Sequence, residues 1–149
     1  MEAEELDRRV RLSVYDHFVR TGEAPGPDDT ARNVDASESA VGDSLERLAA
    51  ARVLVLDPAT RRLWMAMPFS AVPTKFRVIS GARHWWANCA WDALGISAML
   101  QLPAEITSSC ADCGGPTIIR TTGFQLDQGS GVVHYAVPAS EWWDDIGFT

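Results

Sequence analysis

Residues 88–101, NCAWDALGISAMLQ, decide the reading of this chain. Cys89, Ala93, Ile96 and Leu100 recur at helical spacing along one side, Asn88 stands where a cap is expected, and Pro103 ends the run. On either side the pattern changes to short strands. KFRVIS (75–80) alternates with a period of two, GARHWW (81–86) turns into the next element, AEITSS (104–109) and TIIRTT (117–122) flank a tight turn, CADCGGP (110–116), and GVVHYAV (131–137) reads as a further strand. Pro138 then opens a short helix, PASEWWDDI. One helix among strands joined by turns predicts a helix packed on a small, mostly antiparallel sheet, hence an α+β fold.

Upstream the organisation differs. Leu6, Val10, Val14 and Phe18 recur every four positions, which predicts a helix over 4–21 that stops at Gly22. Pro27 suits the first turn of a second helix running to about Val34. A third helix follows over 37–51, capped by Ser37 or Asp35. VLVLD, a PATRR turn and LWMAM then read as a hairpin. Three helices and a hairpin give a winged helix-turn-helix-like domain over 1–67. PFSAVPT, punctuated by Pro68 and Pro73, supplies a linker at 68–73, and the core domain is 74–149.

The third helix, the one that would read DNA in a winged helix, carries Glu38, Asp43 and Glu46 against a single Arg47. The whole chain has 13 Lys and Arg against 20 Asp and Glu, a formal net charge of −7, so bulk charge does not draw it to nucleic acid or anionic lipid. The reading therefore expects the hairpin residues Leu63, Trp64 and Met65 to pack against the core, and no DNA binding. No apolar run approaches the roughly 18 residues of a membrane span. The start, MEAEELDRRVRL, is charged and has no signal-like apolar stretch, which places the chain in the cytoplasm.

Three cysteines, Cys89, Cys110 and Cys113, cannot close a disulfide framework and point to thiol chemistry or metal binding. Cys89, in the first turn of the predicted helix, would have its thiolate stabilised by the helix N-terminus, making it the most reactive of the three. Asp92, three residues on, shares its face and can exchange a proton with it. The plain alternative is a buried cysteine beside a solvated aspartate. Cys110 and Cys113 form a Cys-x-x-Cys turn able to share a soft metal ion; a closed zinc site would need about four ligands, and Cys89, His84 or His134 would have to be brought near. The plain alternative there is an ordinary turn.

Taken in order, PFSAVPT (68–74), NCAWDALGISAML (88–100), ITSSCADCGGP (106–116) and VHYAVPASEWW (133–143) resemble the organomercurial lyase (alkylmercury lyase) family. The resemblance implies a winged-helix-like domain ahead of a lyase core and cleavage of a carbon–mercury bond. It implies Cys89 as the mercury ligand, Asp92 as the proton donor and Cys110 as a further family cysteine. No organic cofactor is implied, only small thiols as co-reactants and a mercury ion as bound product. The family's second catalytic cysteine falls near Val132 and Val133, where this sequence has none, and the family core continues past the equivalent of Trp143. Cys113 is an added thiol beside Cys110. Two readings follow: a lyase using Cys89 and Asp92, or a non-catalytic soft-metal binder using Cys89, Cys110 and Cys113, with a winged-helix regulatory or docking module as a third. The partner expected is a small organometal or metal ligand; membrane and nucleic acid are not expected, and oligomeric state is not set by the sequence.

Overall fold

Glu4 and Glu5 in the first turn and Arg20 in the last complement the dipole of helix α1 (Ala3–Thr21), whose buried face is Leu6, Val10, Val14 and Phe18. This computed structural model describes residues 2–148. Helix α1 ends at Gly22, in the left-handed conformation at φ 79°. A side chain there would put its Cβ 2.1 Å from the His84 carbonyl oxygen, so the glycine is required both by the turn and by the approach of the sheet. Helix α2 (Pro27–Val34) has proline in its first turn, as its sequence predicts. Helix α3 (Glu38–Ala50) is capped by Ser37, whose Oγ accepts from the Ala40 N–H at 3.2 Å.

Eight strands follow: β1 (Val55–Leu56), β2 (Leu63–Ala66), β3 (Phe69–Ser70), β4 (Phe76–Ser80), β5 (Arg83–Ala87), β6 (Pro103–Ser109), β7 (Pro116–Thr122) and β8 (Gln125–Gln128). They form one antiparallel sheet in the order β1-β2-β3-β5-β4-β6-β7-β8, with helix α4 (Ala90–Leu100) between β5 and β6. The α+β class is therefore as the sequence predicts. Val78 on β4 faces Trp85 on β5 and Ile106 on β6. These three stand on the buried face and pack with Ala93 and Ile96 of α4 and Val14 and Phe18 of α1. On the other face, Arg77 lies over the Trp86 ring at 5.7 Å.

A second cluster, Leu6, Val10, Ala31, Val34, Val41, Leu48, Leu54 and Leu56, holds the three helices and β1 together. Leu45 and Leu63 pack against both clusters. Of the hairpin residues expected to pack inward, Met65 is buried and Leu63 is half-buried against both clusters, whereas Trp64 belongs to neither cluster and lies against Gly147. The acidic third helix spends its arginine internally: Arg47 pairs with Asp7 at 2.6 Å, while Glu46 pairs with Arg61.

Four local expectations need correction. Residues 68–73, read as a linker, contain β3, which joins β2 to β5 and buries Phe69 against Phe18 (ring centroids 5.3 Å apart, 7° between planes). The prolines flank the strand rather than abolish it. GARHWW, read as a turn into the next element, supplies β5. The strand read at 131–137 does not form. Gly129 and Gly131 hold left-handed backbone at φ 139° and 126°, and β8 already occupies the free edge of β7. The helix expected from Pro138 is a single 3-10 turn, Ala139–Glu141. Among the described residues no helix is long and apolar enough to cross a membrane.

Candidate active site

Helix α4 starts one residue later than its sequence suggests, and the difference matters chemically. Asn88 is not the cap. Cys89 is, with extended backbone (φ −148°, ψ 179°), and its Sγ accepts from the Asp92 N–H at 3.4 Å. A thiol thus takes the place of the usual serine or aspartate cap, and Asp92 takes the third helical position, where a capping box carries its acid. Both side chains are thereby fixed at the same end of one helix.

Asn88 is freed for another task. Its Nδ2 donates to the Phe69 carbonyl at 3.2 Å and to Asp92 Oδ2 at 3.1 Å. Its Oδ1 is buried with no hydrogen-bond partner among the described residues. Asn88 therefore ties the carboxyl to β3. From the far end of the chain Tyr135 brings its hydroxyl to 4.0 Å from Cys89 Sγ. The Tyr135 ring packs on Trp142, 4.9 Å away, and Trp142 Nε1 donates to the Val137 carbonyl at 3.1 Å, so the C-terminal segment is folded around this contact.

Burial dominates the electrostatics. It pushes the Asp92 carboxyl above the ordinary carboxylate range, against the opposing hydrogen bonds from Asn88 and Cys89. It also pushes the Cys89 thiol up, assisted by the charge of Asp92 and opposed by the Asp92 N–H and by Tyr135. The Tyr135 phenol is pushed up to about 12, first by desolvation and then by Cys89. In all three groups the shift is toward the neutral, proton-bearing form. The helix end does supply a donor to Cys89, but burial outweighs it, so the expectation of a preformed reactive thiolate is corrected. The thiol displaced toward the thiolate is Cys110, held down by the N–H of Cys113, then that of Asp112, then the Cys113 thiol. With a small alkylating agent at neutral pH, Cys110 should label before Cys89 in mass-spectrometric peptide mapping; a faster Cys89 would contradict this order of acidities.

Cys110 is half-buried and Cys113 exposed. Among the described residues no group of three or more His, Cys, Asp or Glu stands close enough to hold a metal ion, so Cys89, Cys110 and Cys113 do not form one preassembled site. His84 lies in β5 beside Trp86, ring centroids 6.2 Å apart, and His134 is exposed in irregular chain. Val132 and Val133 are also exposed there. A cavity of about 680 Å3 lies between the α1–α2 turn, the β1–β2 hairpin and β5, lined by residues including Gly22, Arg61, Trp64 and Trp86. Cys89, Asp92 and Tyr135 do not line it. Asn88 and Tyr135 were not readable as site residues: Asn88 looked like a cap, and Tyr135 lies 46 positions from the thiol it meets.

A thiol and a carboxyl whose pKa burial raises thus stand together at the start of a helix laid against an antiparallel sheet. The comparisons make the class specific. The family model for alkylmercury lyase (MerB) matches residues 69–149, more than half of the chain, and the chain belongs to that family. Among solved structures, the mercury-bound form of MerB2 superposes with a TM-score of 0.65 at 23% identity, which shows a common fold. That match covers 85% of this chain and 60% of the MerB2 chain, so it spans less than two thirds of that protein's length. No curated protein matches the chain.

Proposed function

We propose that this chain is an organomercurial lyase that cleaves a carbon–mercury bond with Cys89 as the capturing thiol and Asp92 as the proton donor. The observation that carries the reading is the pairing of a cap thiol with a carboxyl whose pKa burial raises. In the first step the Cys89 sulfur displaces the labile ligand X from R–Hg–X, giving Cys89–S–Hg–R and H–X. Mercury is soft and prefers thiolate sulfur, so the neutral thiol loses its proton as the metal binds.

In the second step a small thiol in solution adds to mercury and raises the electron density on the metal. The electron pair of the carbon–mercury bond moves onto carbon as Asp92 delivers its proton there. R–H leaves, Hg2+ stays bound between Cys89 and the added thiolate, and the proton of the added thiol reloads Asp92. The added thiol is needed because no cysteine stands at Val132 or Val133 and the turn thiols are not clustered with Cys89. Asn88 orients the carboxyl through its 3.1 Å hydrogen bond, and the Tyr135 hydroxyl stands 4.0 Å from the sulfur. No organic cofactor enters this chemistry.

The test is incubation with an organomercurial and an excess of small thiol while released hydrocarbon is measured. Wild type should release R–H at a rate that rises with thiol concentration, and folded Cys89→Ser should release none above the protein-free control. Cleavage by Cys89→Ser equal to wild type would remove Cys89 from the reaction. Stoichiometric capture of the organomercurial by wild type without any hydrocarbon would leave a soft-metal binder in place of the lyase.

A further inference from the structure

The turn between β6 and β7 carries two thiols that the Cys89 site does not use. Its shape is set by main-chain hydrogen bonds: the Cys110 N–H donates to the Gly115 carbonyl at 2.8 Å, and the Gly114 N–H donates to the Cys110 carbonyl at 3.0 Å. Gly114 takes left-handed backbone at φ 71°. A Cβ on Gly115 would lie 3.3 Å from Cys113 Sγ, so that sulfur rests against bare glycine backbone. The N–H groups of Cys113 and Asp112 and the Cys113 thiol lower the Cys110 pKa. Two thiols three residues apart therefore sit on one turn fixed by β6 and β7, and neither is fully buried.

We propose that Cys110 and Cys113 form a second soft-metal site, separate from Cys89, that takes Hg2+ as a two-thiolate chelate.

The ligand set selects the ion. Structural zinc is held by about four ligands, and no third His, Cys, Asp or Glu joins these two among the described residues. Hg2+ is satisfied by two thiolates on opposite sides of the ion, and the exposed Cys113 side chain can swing toward that arrangement with Cys110. N–H groups aimed at Cys110 stabilise the charge its sulfur carries as thiolate. Binding converts two thiols and Hg2+ into a dithiolate complex with release of two protons to solvent, so it tightens as pH rises. Because both sulfurs belong to one turn, the second bond forms intramolecularly, an advantage on the order of 100-fold or more over two separate monothiols. The site thus suits a chain that must hold inorganic Hg2+ against small thiols.

The experiment uses the reduced full chain, mercuric chloride and an excess of a small monothiol, with mercury retained per chain measured after gel filtration. Sulfur-to-mercury charge-transfer absorption in the ultraviolet gives a second readout. Cys89→Ser should still retain one Hg2+ per chain, and mercury should protect Cys110 and Cys113 from alkylation. Adding Cys113→Ser to Cys89→Ser should weaken retention on the order of 100-fold, with unchanged circular dichroism because the turn lies outside the core. Loss of retention in Cys89→Ser alone would overturn the proposal, as would equal retention after Cys113→Ser is added. Cys89→Ser has no lyase thiol, so failure here leaves the carbon–mercury cleavage reading untouched, and the reverse also holds.

Discussion

Replacing Asp92 by asparagine should leave organomercurial capture intact and slow hydrocarbon release about 10²- to 10⁴-fold, the usual contribution of a positioned general acid. Asparagine keeps the size of the side chain and leaves in place the cap bond from the residue-92 N–H to Cys89 Sγ. It removes the transferable proton. The pH dependence separates this role from a merely structural one. Burial raises the Asp92 pKa, so its acid form persists above the pH at which an ordinary carboxyl ionises. Hydrocarbon release under saturating capture should therefore be greatest on the acidic side and fall as pH rises through the Asp92 pKa. In Asp92→Asn that falling limb should vanish.

A second readout comes from the thiol. Above the Asp92 pKa the ionised carboxylate helps hold the Cys89 pKa up, so at such pH Asp92→Asn should speed alkylation of Cys89 even as it slows cleavage. Opposite movements of the two rates cannot come from general loosening of the site. If Asp92→Asn retained wild-type cleavage, the proton would have to come from another group, and Asp92 would be reduced to capping.

The sequence discloses the thiol–acid pair because its geometry is local. Three residues along one helix put Cys89 and Asp92 together whatever the rest of the fold does. The three N-terminal helices were legible for the same reason, through four-residue spacing and the punctuation of Gly22, Pro27 and Ser37. What stayed hidden depends on distant segments or on elements without a pattern. All four residues of β8 are exposed, so no alternation marks it, and its pairing with β7 removes the edge that residues 131–137 would have needed. β3 has two residues between prolines and exists because β2 and β5 pair on either side. The Tyr135 contact with Cys89 and the Asn88 bridge to Phe69 are tertiary facts of the same kind. The direction of the Cys89 shift was also hidden, because the dipole argument is local while desolvation depends on everything that covers the sulfur.

A buried tertiary link joins the helices to the sheet, and it yields the second large effect. Trp85 is 1% exposed at the centre of the main cluster, and its Nε1 donates to the Phe18 carbonyl at 2.8 Å across 67 positions of sequence. Trp85→Ala should cost about 3–5 kcal/mol by loss of packing and creation of a cavity. Against a typical domain stability of about 5–15 kcal/mol, that is enough to shift the urea midpoint strongly or to leave the chain unfolded at physiological temperature. Trp85→Phe keeps a large ring and loses the N–H donor; the Phe18 carbonyl still accepts from Gly22 at 2.8 Å, so the hydrogen-bond part of the cost should be only about 0.5–1.5 kcal/mol. The comparison also probes how the two apolar clusters are coupled. Leu45 and Leu63 touch both, and Phe18 of α1 lies in the sheet's cluster rather than with the helices, so loss of Trp85 should destabilise the three helices together with the sheet. Urea unfolding of Trp85→Ala followed by far-ultraviolet circular dichroism and by tryptophan fluorescence should give one shared, lowered midpoint. Two separated transitions, with the helical signal unmoved, would instead mean that residues 1–67 fold independently of the core.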